Sequence, residues 1–172
     1  MRKTVEVQVP AKVNLQLSVG PKETDGYHEV VTVFQAISLF DVVKISRSEN
    51  FQISLKGDYT NGVPLDKSNL VFKAVEIMVE KFNIDGALEI EINKSIPVAG
   101  GMAGGSADAA ATLLGIDQLF GLGLSKDELS EVARKLGSDV PFMLHGGTAV
   151  GRGRGDEITP ALSRGNYHWV IA

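Results

Sequence analysis

Cysteine is absent from the 172 residues, so disulfide scaffolds, thiolate metal sites and cysteine nucleophiles are excluded. Histidine is scarce: His28, His145 and His168 stand far apart, and no pair has the close spacing of a local zinc motif. No uninterrupted apolar run is long enough to span a bilayer. The start, Met1-Arg2-Lys3-Thr4-Val5, runs into an alternating pattern and not into an apolar signal core, so a cytoplasmic protein is expected. Positive charge is not in excess either. The net charge of −4 argues against a broad basic surface for nucleic acid or anionic membrane. Any phosphate site must then be local, built from backbone N–H groups and a few cations. What is present is ordinary for a globular domain: 44% apolar and 22% charged residues, with length enough for one compact core or for most of one domain and part of another.

Residues 4–9 alternate through Val5, Val7 and Val9, and residues 12–19 set Val13, Leu15, Leu17 and Val19 against Lys12, Asn14, Gln16 and Ser18. Period two predicts half-buried strands, with a break at Pro10-Ala11. Further strands are expected over 29–39, 42–46 and around Phe51, Ile53 and Leu55. Ser68 is placed to cap a helix through about Phe82, with Val71, Ala74, Val75, Met78 and Phe82 on one face. Leu88, Ile90 and Ile92 alternate as a strand entering Pro97. A helix follows from about Ser106 to Leu119. Ser125 and Glu128 form a capping-box pattern for another, ending near Leu136 with Gly137 as its cap. Strand-like segments at 146–150 and 166–171 close the chain. The elements predict an α+β fold, with helices on one side of a mainly antiparallel or mixed sheet. The chain stops inside the apolar segment Tyr167–Ala172, an odd natural terminus, so a fragment of a longer protein is expected.

The strongest chemical signal is Pro97, Val98, Ala99, Gly100, Gly101, Met102, Ala103, Gly104, Gly105, Ser106, Ala107, lying between a strand and a helix. Such a loop lets the backbone approach a ligand and reach positive φ, and the helix start adds N–H groups and its positive dipole end. That suits a polyphosphate, and Ser106 offers a hydroxyl to phosphate or to Mg²⁺. The alternative is a glycine-rich turn packed tightly on its helix. No Gly-Lys-Ser/Thr ends the loop, and it is not a dinucleotide fingerprint. On this reading Gly104→Val blocks phosphate and spares the fold. Lys12 and Asn14 share the polar face of one strand; taken alone, that is a solvated face. Asp139, taken alone, is a turn former, and Tyr27-His28 follows the turn residues Asp25-Gly26.

Together these blocks resemble the GHMP superfamily of small-molecule kinases. They are Pro10-Ala-Lys-Val-Asn-Leu15, Asp25-Gly-Tyr-His28, Pro97 through Ala111, Gly137-Ser-Asp-Val-Pro141 and, more weakly, Gly155 through Pro160. Within it the Asp25–His28 block is similar to that of kinases acting on a cytidyl diphosphate sugar alcohol in the non-mevalonate route to isoprenoid precursors. The resemblance implies that residues 1–172 form the amino-terminal ATP-binding domain, with a carboxy-terminal GHMP domain missing from the chain. It implies transfer of the ATP γ-phosphate to the substrate's 2-hydroxyl, with Lys12 and Asp139 meeting at the reacting centre. Tyr27 is then expected to stack on cytosine, His28 to hydrogen-bond its edge, and Asn14 to position the substrate. No carboxylate cluster marks a protein ligand for Mg²⁺, which is expected to bind mainly through ATP oxygens. The family often has glycine where Ala99 and Ala103 stand, a small change compatible with nucleotide binding. The alternatives are another GHMP kinase, acting on mevalonate, homoserine or a sugar, or a catalytically silent nucleotide-binding fragment. A nucleic-acid-binding domain fits the acidic balance poorly.

Overall fold

The computed structural model describes residues 3–22, 24 and 26–171; Asp25 of the expected substrate block and Ala172 lie outside the described residues. Six strands and four helices occur among them. Two long strands, β1 (Thr4–Lys22) and β2 (His28–Ser48), run antiparallel along most of their length. After β3 (Gln52–Gly57) come helix α1 (Leu70–Phe82), strand β4 (Ala87–Lys94) and helix α2 (Gly104–Phe120). Helices α3 (Lys126–Leu136) and α4 (Val140–His145) precede strands β5 (Thr148–Arg152) and β6 (Glu157–Pro160). The sheet runs β3-β4-β2-β5-β6, with β1 also on β2. Only β3 and β4 pair in parallel. The architecture is the mixed, mainly antiparallel α+β sheet that the alternation predicts.

Several boundaries differ from expectation for physical reasons. Pro10 does not end the first strand. The register shifts between Pro10, opposite Phe40, and Ala11, opposite Ile37. A bulge absorbs the missing proline N–H, and β1 and β2 continue through it. Asn69, not Ser68, caps α1: its side chain accepts the Val71 N–H at 2.8 Å, while the Ser68 hydroxyl turns to Asp66. The capping box of Ser125 and Glu128 forms as expected. Helix α4 escapes a periodicity reading because six residues are too few to show a repeat. Residues 166–171 form no strand; Tyr167, Trp169, Val170 and Ile171 are exposed, since β propensity without a pairing partner does not make a strand.

Helix α2 is the centre of the helical layer. Ala107, Ala109, Ala110, Ala111, Leu113 and Ile116 are fully buried. Their small side chains let α2 sit directly on the sheet: a Cβ added to Gly115 would collide with Ile45 of β2. The sheet also receives Val43, Ile45, Ile90 and Ile92 from its helix-facing side. Burial fades along β1 beyond Asn14, so Leu15, Leu17 and Val19 are exposed while Lys12 is buried. The expected polarity of that strand is thus reversed at the residue that matters most.

Candidate active site

Between the end of β4 and the start of α2 the backbone enters the left-handed region three times: Ala99 (φ 60°), Gly101 (φ 70°) and Ala103 (φ 57°). For the two alanines this costs about 1–2 kcal/mol each, strain of the kind that collects at ligand-binding loops. Helix α2 begins at Gly104, two residues before the expected Ser106, and its N-cap is Ala103. Alanine has no side-chain acceptor, so no side chain caps the first-turn N–H groups. The loop lines a cavity of about 490 Å³, together with Lys12, Asn69 and Asp139. Pro97, Val98, Ala99, Gly100, Gly101, Ala103, Gly104 and Gly105 all line it. Met102 and Ala107 are instead buried in the core, and Ser106 lies within the first turn of α2. A Cβ on Gly105 would meet nothing, whereas one on Gly104 would lie 3.1 Å from Ile96 Cγ2 and 3.2 Å from Lys94 Nζ. Gly104 therefore faces inward, and its replacement by valine disturbs the interior instead of sparing the fold.

Lys12 and Asp139, 127 positions apart in sequence, come together here: Lys12 Nζ lies 3.9 Å from Asp139 Oδ2. Lys12 is only 7% exposed. It donates to Asn14 Oδ1 at 2.6 Å, Asn14 Nδ2 donates to Thr32 Oγ1 at 2.7 Å, and Thr32 donates to the Gln16 carbonyl at 2.8 Å. Asn14 is thus a direct hydrogen-bond partner of the lysine. The Phe34 ring, its centroid 5.6 Å from the ammonium, stacks on Phe142 of α4. Asp139 is the N-cap residue of α4 but makes no capping hydrogen bond, which leaves its carboxylate available to the cavity. The Lys12 backbone N–H donates to the Met102 carbonyl at 3.2 Å, fastening β1 to the loop.

A second charged group was not anticipated. Lys94, at the end of β4, donates to Asp41 of β2 and, at 2.7 Å, to Asp108 of α2. All three are buried, and Asp41 Oδ1 also accepts the N–H groups of Ser95 and Ile96. Burial pushes the Asp108 carboxyl up to about 7; the Lys94 ammonium opposes that rise and the Asp41 carboxylate adds to it. The sequence held one signal: Lys94 continues the parity of Leu88, Ile90 and Ile92, the buried face of β4.

Tyr27 and His28 lie elsewhere, in a separate cavity of about 470 Å³ with Arg154, Asp156 and Glu157. Eight strand positions separate His28 from Ala36, the residue opposite Lys12, roughly 25 Å along an extended strand. The Arg154 guanidinium sits 3.5 Å from the Tyr27 ring centroid. His28 Nδ1 lies 2.9 Å from the Gly20 carbonyl, which can only accept, so Nδ1 carries a proton and donates it. Among the described residues no group of three or more histidines or carboxylates is arranged to hold a metal ion, and no helix is long and apolar enough to cross a membrane.

Residues 69–147 match the family of GHMP kinases N terminal domains. Over 98% of its length the chain is 55% identical to the 4-diphosphocytidyl-2-C-methyl-D-erythritol kinase of Rhodococcus jostii and covers 54% of that protein. It is 52% identical, again over 98% of its length, to the enzyme of that name from Nocardia farcinica, covering 55% of it. A solved 4-(cytidine 5'-diphospho)-2C-methyl-D-erythritol kinase superposes with a TM-score of 0.74 and 36% identity, over 91% of this chain and 55% of the other. The chain thus spans about half the length of the curated relatives it matches.

Proposed function

We propose that this chain is the ATP-binding half of a cytoplasmic kinase that phosphorylates the 2-hydroxyl of 4-diphosphocytidyl-2-C-methyl-D-erythritol. A second GHMP domain completes the cleft. The observation that carries the reading is the Lys12–Asp139 pair at 3.9 Å, lining one cavity with a left-handed glycine loop. The residues present fit ATP: the uncapped start of α2 and the open space over Gly101 and Gly105 suit a polyphosphate. ATP would supply the phosphoryl group, with Mg²⁺ held mainly by the nucleotide and not by a protein carboxylate cluster. Phosphoryl transfer needs alignment and charge stabilisation more than covalent chemistry. The loop N–H groups hold the phosphates. Lys12, fixed by Asn14, places a point charge beside the transferring group. Asp139 orients the acceptor hydroxyl and takes its proton. The decisive experiment assays the full-length protein with ATP against a panel of alcohols. Turnover of the cytidyl substrate, with mevalonate, homoserine and sugars untouched, is the expected result; preference for another alcohol overturns the substrate assignment.

Two variants test the sub-sites. Gly105→Val places a branched side chain into the space over the loop, so ATP affinity should fall by about tenfold or more without loss of the fold. Unchanged affinity in titration calorimetry would remove the loop from the phosphate site. Tyr27→Ala removes a stacking face typically worth about 1–3 kcal/mol, so the Michaelis constant for the cytidyl substrate should rise by about tenfold or more. The constant for ATP should barely move. Equal movement of both constants would show that Tyr27 acts through structure alone.

A further inference from the structure

A lysine ammonium is a point charge on a flexible stem, so its place in a cavity is set by the groups that receive its hydrogen bonds. Asp139 Oδ2, 3.9 Å from Lys12 Nζ, is beyond hydrogen-bond range and attracts the ammonium without locating it. Asn14 Oδ1, at 2.6 Å, does locate it. The asparagine is held in turn: its Nδ2 donates to Thr32 Oγ1 at 2.7 Å, and the Thr32 hydroxyl donates to the Gln16 carbonyl at 2.8 Å. The direction of this chain is fixed at both ends. An ammonium can only donate and a carbonyl can only accept, so the Asn14 amide and the Thr32 hydroxyl each have one orientation that serves both neighbours.

Thr32 is where the chain is tied to the backbone, and it is only 1% exposed. The register of β1 on β2 slips between Asn14, opposite Phe34, and Gln16, opposite Val33. Such a slip disturbs the ladder locally, and the Thr32 hydroxyl takes up the Gln16 carbonyl there. The other branch of the side chain is packed as well. Thr32 pairs with Gly151 of β5, and a Cβ added to Gly151 would lie 3.1 Å from Thr32 Cγ2. A β-branched side chain is stiff at χ1, so with the methyl against Gly151 the hydroxyl stays with Asn14 and Gln16.

We infer that Thr32 is a positioning residue for phosphoryl transfer: its hydroxyl anchors Asn14, and through Asn14 it holds the Lys12 ammonium in place. This rests on the kinase reading given above. Without the hydroxyl, the Asn14 amide loses its acceptor and turns to water, and Lys12 loses the contact that locates it. A displaced charge is felt most in the transition state, so turnover suffers more than the binding of either substrate.

Steady-state kinetics of the full-length protein, with ATP and the alcohol it accepts best, tests this with two variants of opposite kind. Thr32→Val keeps the shape and removes the hydroxyl; Thr32→Ser keeps the hydroxyl and removes the methyl. A packing role makes valine the milder change, whereas an anchoring role makes it the more severe. The expected kcat is about tenfold or more below wild type in Thr32→Val and within about threefold of it in Thr32→Ser, with both Michaelis constants moved by less than about threefold. Added to Asn14→Ala, Thr32→Val should cost nothing further, because the path to the lysine is already cut. A valine variant as active as the serine one, or full additivity with Asn14→Ala, overturns the inference. Should Thr32→Val fail to fold, Thr32→Ser decides: a kcat about tenfold or more below wild type in the folded serine variant overturns it. A wild-type protein that transfers phosphate to no alcohol overturns the kinase reading and this inference with it, whereas normal wild-type turnover left intact by Thr32→Val overturns only the role of Thr32.

Discussion

Asp139→Asn is expected to lower turnover by about 10²-fold or more, the usual scale for loss of a general base. The amide is nearly the same size as the carboxylate, and Asp139 makes no capping hydrogen bond to α4 that the change could break. The fold and the cavity should therefore persist. What disappears is the negative oxygen 3.9 Å from Lys12 Nζ, the proposed acceptor for the alcohol proton. ATP affinity should be largely kept, because in the proposed binding mode the phosphates rest on the loop and Lys12. Steady-state kinetics on the full-length protein separates the two effects: kcat falls while the ATP constant stays. Turnover close to wild type would remove Asp139 from the chemistry and leave catalysis to positioning and charge.

Lys94→Met should be the most damaging single change to stability. It leaves the Asp41 and Asp108 carboxylates buried together without their shared cation. Breaking a buried ion cluster in this way costs about 3–5 kcal/mol. Against a total stability of about 5–15 kcal/mol, that is enough to empty the folded state of a marginal protein. The urea midpoint should fall sharply. Adding Asp108→Asn to Lys94→Met should restore part of the loss, since Asp41 keeps two backbone donors and no longer faces a second carboxylate. A midpoint unmoved by Lys94→Met would show that the cluster contributes nothing net.

The wild-type pH dependence follows with a definite sign. The native Asp108 carboxyl is raised from the ordinary carboxylate value to about 7, so the native state binds more protons than the unfolded one in between. Its contribution to stability is complete below the ordinary carboxylate pKa and is lost as pH rises through about 7. Urea titrations across that window should show this slope in the wild type and lose it in Asp108→Asn.

Local chemistry made parts of this molecule legible in advance. Ser125 and Glu128 announce a helix because each can satisfy the other's backbone donor, and that interaction involves only four residues. The parity of Leu88, Ile90 and Ile92 fixes the buried face of β4, and the run of glycine and alanine marks the loop. Long-range pairing was not legible in the same way. Alternation placed Lys12 on a polar strand face, yet it is buried, because Asn14 and Asp139 satisfy its ammonium. Only the family resemblance led to the expectation that Lys12 and Asp139 meet. Asp41, Lys94 and Asp108 carry no local motif, so their union could emerge only from the register of β2 on β4 and the seat of α2. The last segment erred the other way, since its apolar alternation promised a strand that no neighbour pairs with.

The bond from the Lys12 amide to the Met102 carbonyl turns one hydrogen atom into a reporter of loop movement. Fraying of β1 from β2 does not by itself release that amide, because its acceptor belongs to the loop and not to the neighbouring strand. Its exchange with deuterated solvent therefore tracks excursions of the loop away from β1. Slower exchange in the presence of nucleotide would register a quieting of those excursions at a single backbone position, the amide of the lysine proposed to face the phosphates.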